Sequence, residues 1–389
     1  MTLLPSSLIK NRWFKALEKL EVGTLHFTEP SGIKHVYRGK HEGPEAFIVL
    51  HDWSVLRRLV ARGDIGLGED YISDKWTTPN IEQLFALFIL NLDYLHQFAH
   101  GNGLNRFMFR IYNYVLRRNN RNGSKANIMA HYDMGNDFYK LWLDETMTYS
   151  SALYGPMDNL AQAQRAKYQR ILDAIQTPSA RILEIGCGWG GFAEQATNQG
   201  HHVTGLTVSP AQKDFATARL KGAADIRLQD YRDVTGQFDA IVSIEMFEAV
   251  GERYWPTYFT AIRDRLKKGG TAIVQTITIR DDFFEDYRIG SDFIRHYVFP
   301  GGMLPSVAVF KREAEKAGLK CDEVFSFGQD YARTLREWLT RFDAHYDTIR
   351  GMGKNDAFIR NWRFYLGMCA AAFAVGRTNV VQVKLSHAT

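Results

Sequence analysis

Arg181-Ile-Leu-Glu-Ile-Gly-Cys-Gly-Trp-Gly-Gly-Phe192 reads as a strand running into a glycine turn and then a helix. The run Arg181–Ile185 lies between Pro178 and Gly186, short enough for a buried parallel strand. Gly186, Gly188 and Gly191 allow a sharp turn and a close approach to a ligand, where a Cβ would obstruct. A helix starting near Gly190 would aim unpaired N–H groups, worth about half a positive charge, into the crevice. That is a nucleotide-type site.

Glycine spacing alone also fits a dinucleotide fingerprint, which wants an acid about 20 residues on. Here the second strand, 202–208, runs into Thr207-Val-Ser-Pro-Ala-Gln212 and carries no carboxylate there. Glu184 instead precedes the first glycine, and Glu-x-Gly-x-Gly resembles the S-adenosylmethionine (SAM) methyltransferases. Downstream, strands at 202–208, 224–229, 238–244 and 271–277 alternate with helices at 190–198, 210–221 and 254–266. Lys267-Lys-Gly-Gly270 stops the last of these helices. Such alternation predicts an α/β fold: a Rossmann-like parallel sheet with helices on both faces and ligands at the carboxyl ends of its strands. The segment 278–305 interrupts the rhythm and is expected to cap the site. A helix at 365–375 and a strand at 380–383 would close the sheet.

The 389 residues suffice for two domains, and 45% hydrophobic with 23% charged residues is ordinary for a globular protein. No apolar run reaches the roughly 20 residues that span a bilayer, and the N-terminus lacks a secretory pattern. Cys187, Cys321 and Cys369 form no metal-binding pattern, so no metal is expected and a reducing cytoplasm is the default. Residues 1–130 carry 17 Lys and Arg against 12 Asp and Glu, and the remainder 31 against 31, so the net charge of +5 belongs to the N-terminal third. Between Tyr94 and Tyr132 no acid occurs, whereas Arg106, Arg110, Arg117, Arg118, Arg121 and Lys125 do. Such a stripe suits phosphate, on nucleic acid or on an anionic membrane surface.

Residues 1–120 read as a smaller α+β domain: a helix at 7–21, a hairpin at 23–27 and 35–38, a strand at 45–50, a helix from Asp52 to Val60 and another at 80–92. Gly63-Asp-Ile-Gly-Leu-Gly-Glu-Asp-Tyr71 reads as a glycine-punctuated loop. Asn105–Arg118 can form a helix with Phe107, Ile111, Tyr114 and Val115 on one face, either interfacial at a membrane or packed between domains.

Further stretches identify a family. They are His131-Tyr-Asp-Met-Gly-Asn-Asp-Phe-Tyr139, Leu141-Trp-Leu-Asp-Glu-Thr-Met-Thr-Tyr-Ser150, Leu228-Gln-Asp-Tyr-Arg-Asp233, Met246-Phe-Glu-Ala-Val-Gly251, Tyr297-Val-Phe-Pro-Gly-Gly302 and Leu304-Pro-Ser306. Together they resemble the cyclopropane-fatty-acid synthases, densely over 125–389 and loosely over 1–120. The resemblance implies a class I SAM methyltransferase domain at 121–389 behind a lipid- or membrane-interacting domain at 1–120. Its reaction would be methylation of a double bond in an acyl chain of a membrane phospholipid. It also implies a cytoplasmic protein, peripheral to the inner face of the membrane, able to form a homodimer, with no nucleic-acid partner. SAM contacts carry over to Tyr149, Ser150, Gly186, Gly188, Gly190, Thr207, Gln212, Asp230 and Tyr231. Asp230 alone also reads as a strand-end cap.

An alkene is a weak nucleophile, so the methyl donor must be held in line with it in a dry pocket, and the resulting cation wants aromatic faces. Tyr132, Phe138, Tyr139, Trp142, Phe247 and Tyr297 are candidates, each also readable as packing. In the family a bound bicarbonate removes the proton, held by a Cys, a Glu, a His, a backbone carbonyl and a Tyr. Glu248 matches the Glu, Tyr331 the Tyr and Ile277 the carbonyl, but the Cys position is Ser151 and the His position is Gln275. Ser151 and Gln275 can still cradle bicarbonate as neutral donors, or Glu248 itself, or a water it holds, can be the base. The altered pocket leads us to expect a methyl-branched unsaturated chain, with cyclopropane formation as the alternative. Methylation of a small metabolite or of nucleic acid, and a non-catalytic lipid carrier, are the competing classes.

Overall fold

Along Val22–Thr28 every second side chain is buried, the mark of a strand with one wet face (β1). It pairs antiparallel with Lys34–Arg38 (β2) and parallel with His41–Leu50 (β3), and Trp76–Thr77 (β4) closes a four-stranded sheet of order β2-β1-β3-β4. The structure, a computed structural model, describes residues 6–99 and 134–388. The expected helix at 105–118, the basic stripe and Tyr132 lie outside them.

This small sheet belongs to a first unit made of residues 1–116, 286–298 and 343–377; the second unit takes 117–285, 299–342 and 378–389. Two expectations change here. The glycine-rich segment expected as a loop is a helix, Asp64–Ile72. Its glycines are there for contact: a Cβ on Gly68 would lie 2.4 Å from the Phe293 ring, and one on Gly66 2.7 Å from the Arg58 carbonyl. Similarly, the helix expected to close the large sheet, Asp356–Ala374, belongs to the first unit, where Phe364 packs among Tyr71, Trp76, Phe85 and Phe293. Of the interrupting segment, residues 286–298 also fall in the first unit.

In the second unit the opening stretch forms β5 (Arg181–Ile185), buried at four of its five positions. His202–Thr207 (β6), Asp225–Leu228 (β7), Phe238–Ile244 (β8) and Leu266–Ile279 (β9) run parallel to it; Thr378–His387 (β11) runs antiparallel to β9, and Leu319–Ser326 (β10), antiparallel to β11, shares the direction of β5. The order is β10-β11-β9-β8-β5-β6-β7. Lys267-Lys-Gly-Gly270, expected to be a stop, lies inside β9. One face is sealed by the buried side chains Ile182, Val242, Phe192, Ala196 and Ile171 and their neighbours. A side chain such as Ile182 contributes about 1.5–3 kcal/mol by its burial. This core fixes the strand ends from which the functional side chains project.

Candidate active site

β5 ends in the glycine turn, and its geometry explains the residue types. Gly186, Gly188 and Gly190 have φ of 84°, 51° and 84°, the left-handed region that a side chain resists. The N–H groups of Gly186 and Cys187 both donate to the Leu206 carbonyl, at 3.0 and 2.8 Å, tying the turn to β6. Gly190 caps the helix Gly191–Asn198. A Cβ on Gly188 would meet nothing within 4 Å, so the turn opens there onto free space.

Other expected cofactor residues surround the same strand ends. Past β6, the Thr207 hydroxyl donates to Gln212 Oε1 at 2.9 Å, and Ser209 caps the helix Pro210–Leu220. Past β7, both Asp230 oxygens pair with Arg232, and Tyr231 packs against Tyr258. Ser150 is buried: its hydroxyl accepts from Lys167 Nζ at 2.6 Å and its carbonyl from Gln164. Lys167, which sequence reasoning missed, is fully buried in the helix Leu160–Asp173. Burial pulls its ammonium down to about 7, against the opposing pull of Glu245, Asp144 and Glu184. Glu184, on β5, is pushed up to about 8 by burial, and its Oε2 has no hydrogen-bond partner among the described residues.

The proton-transfer candidates converge on a residue that sequence reading missed. Glu245, immediately after β8, accepts the Ser151 backbone N–H at 2.9 Å and the Gln275 amide at 2.8 Å on Oε1, and the Tyr331 hydroxyl at 2.6 Å on Oε2. Its φ is +49°, a conformation costing a non-glycine residue roughly 1–3 kcal/mol. Gln275 is positioned by Gln382, which donates to its Oε1 at 3.1 Å. Ser151 therefore contributes its backbone and not its hydroxyl, which donates to the Ala152 carbonyl instead. Glu248 stands apart: its Oε1 accepts the Ile277 N–H and the Thr276 hydroxyl, and its buried Oε2 has no partner among the described residues. Ile277 thus meets Glu248 through its N–H, while its carbonyl accepts from Thr276. Burial raises both carboxyls above their ordinary range. The Glu245 charge raises Glu248 further, whereas Lys167, Tyr331, Ser151 and Gln275 pull Glu245 back down. Gln275 and Tyr331, two of the side chains expected to hold a bicarbonate, are already taken by Glu245 together with the Ser151 N–H, so the pocket does not fit one.

Aromatic rings join this pair to the glycine turn. Tyr331 neighbours Trp338, which packs on Tyr149 and Trp142; Tyr149 meets Tyr139, whose ring lies 5.1 Å from Trp189 of the turn. Phe138, Tyr139 and Trp142 sit in this cluster. Phe247 does not: it is core packing among Trp255, Tyr258, Phe259 and Phe310. Tyr297 belongs to the first unit, its hydroxyl donating to Glu69.

Residues 119–383 match the family model described as mycolic acid cyclopropane synthetase. The chain belongs to this family. It is 34% identical to the tuberculostearic acid methyltransferase UfaA1 of Mycobacterium tuberculosis, over 88% of this chain and 83% of that one. It is 35% identical to the cyclopropane-fatty-acyl-phospholipid synthase of Escherichia coli K12, over 85% of each. Among solved structures it resembles the mycolic acid cyclopropane synthase CmaA1 complexed with SAH and CTAB, with a TM-score of 0.63 and 28% identity, over 67% of this chain and 97% of that one. The seven-stranded sheet is thus that of a class I SAM methyltransferase, and the protein is a SAM-dependent enzyme. The site fits that cofactor: the turn opens at Gly188, and Glu184 offers a carboxylate oxygen without a partner to a cationic ligand. Among the described residues no cluster could hold a metal, and no helix is long and apolar enough to cross a membrane.

Proposed function

We propose that this protein methylates the double bond of an unsaturated fatty-acyl chain in a membrane phospholipid and closes the added carbon into a cyclopropane ring. The observation that carries the reading is the buried carboxylate Glu245, linked through Tyr331 by a chain of aromatic ring contacts to the glycine turn. Such an aromatic cluster suits an apolar chain and a transient carbocation better than a polar metabolite. The relatives' names also support ring closure better than the branched product expected from the sequence.

SAM, when bound, supplies an electrophilic methyl group and leaves as a neutral thioether. Gly186, Gly188 and Gly190 would hold it on the backbone, with Glu184 and Ser150 beside it and Thr207, Gln212, Asp230 and Tyr231 at the next strand ends. The chain's own work is to exclude water, hold the acyl chain against Tyr149, Tyr139 and Trp142, and take one proton from the methylated chain. Loss of that proton from the new methyl closes a ring. Loss from the chain leaves a methyl-branched olefin, the second reading, favoured by the missing imidazole at Gln275. By this reading the protein works at the inner face of the cytoplasmic membrane, where the basic stretch 106–125 favours anionic lipid.

Lipids from cells expressing the protein, supplied with a monounsaturated fatty acid, test the reading by mass spectrometry and proton NMR. A cyclopropane methylene signal is expected. Methyl-branched olefin would install the second reading, and unchanged lipids would overturn both.

A further inference from the structure

We propose that Glu245 is the resident base of this reaction, its carboxylate standing where a bicarbonate would otherwise sit. The inference rests on the acyl-methylation reading and adds to it the group that takes the proton. Three independent donors reach Glu245: a backbone N–H from Ser151, an amide from Gln275 and a hydroxyl from Tyr331. They come from separate parts of the chain and would form a cradle for a planar three-atom carboxylate-like anion, yet a side chain fills it. A carboxylate offers about four lone-pair sites. Among the described residues Oε1 accepts two hydrogen bonds and Oε2 one, which leaves Oε2 the oxygen with room for a proton.

The backbone points the same way. Glu245 adopts φ +49° at the end of β8, a conformation that glycine takes without strain. Its own N–H donates to the Gln275 carbonyl at 2.8 Å, so the strained residue is locked to the strand that also carries its amide donor. Strain held this firmly at a strand end is characteristic of functional sites. Buried Lys167 adds a cationic field that favours the ionised carboxylate.

The proton step balances within the chain. A C–H bond of the newly added methyl group breaks, its electron pair forms the bond from that carbon to the cationic carbon and closes the three-membered ring, and the proton passes to Glu245 Oε2. Water then takes the proton when product leaves. No external base is required.

The test compares wild type with Glu245→Gly and Glu245→Gln, each checked for fold by circular dichroism and for SAM binding by calorimetry. Glycine suits the positive φ, and glutamine keeps the side chain's volume. In buffer stripped of carbon dioxide the wild type should keep its full rate, and both variants should lose about 100-fold or more, the scale of general-base catalysis. Calorimetric titration with sodium bicarbonate should show no uptake by wild type and binding to Glu245→Gly. A wild type that binds bicarbonate, or needs it for turnover, overturns the proposal. So does either variant at wild-type rate without bicarbonate. If SAM binds and no form methylates lipid, the acyl reading has failed. The bicarbonate titration would still show whether Glu245 fills the cradle.

Discussion

At the scale of single residues, the pocket is organised by a carboxylate that no spacing rule singles out. Glu245 follows a buried strand and precedes Met246-Phe-Glu248, so in the sequence it reads as a polar residue leaving the sheet. Its partners, at positions 151, 275 and 331, are distant in the chain, and only folding reveals that they share one acceptor. Tyr331 and Gln275 were legible as site residues, whereas the role of Ser151 was not, because a backbone N–H leaves no mark on residue identity. The Tyr331 hydroxyl stabilises the charged form of Glu245, so Tyr331→Phe should raise that carboxyl further. Activity needs the ionised form, so the ascending limb of the pH–rate profile should move to higher pH in this variant. Glu248, held by the Ile277 N–H and the Thr276 hydroxyl outside the Glu245 cradle, should tolerate glutamine. Its rate should fall no more than about 10-fold, against about 100-fold or more for Glu245→Gln. Steady-state assays across pH read both effects.

Among the elements, the parallel sheet and the glycine turn were legible because short apolar runs, glycines and amphipathic helices alternate in order. The Asp64–Ile72 helix was not, since three-dimensional contact selects its glycines against their poor helix propensity. Gly68→Ala would push a methyl into the Phe293 ring, and a loss of about 1–3 kcal/mol is expected by urea denaturation. In the turn, Gly188→Ala places a methyl in open space at a positive φ. It should weaken SAM binding at least about 10-fold by calorimetry, equivalent to about 1.4 kcal/mol. Gly200→Ala is the control: its φ is also positive and its surroundings are also open, but it lies outside the turn and should leave SAM affinity unchanged.

For the whole molecule, two units share the chain through exchanges that composition does not signal. Residues 286–298 and 343–377 leave the methyltransferase region in sequence and join the first unit, because their aromatic faces match the Asp64–Ile72 and Ile81–Leu90 helices. The basic stretch Arg106–Lys125 predicts preferential sedimentation with anionic over neutral vesicles, weakening as salt rises. Equal binding to both vesicle types would remove the electrostatic part of that reading. The central claim, methyl transfer to an acyl double bond with ring closure, is tested most directly with SAM deuterated throughout its methyl group. Mass spectrometry of the lipid product should show an added carbon that has lost one deuterium. Retention of every deuterium, or no label in the lipid, would contradict it.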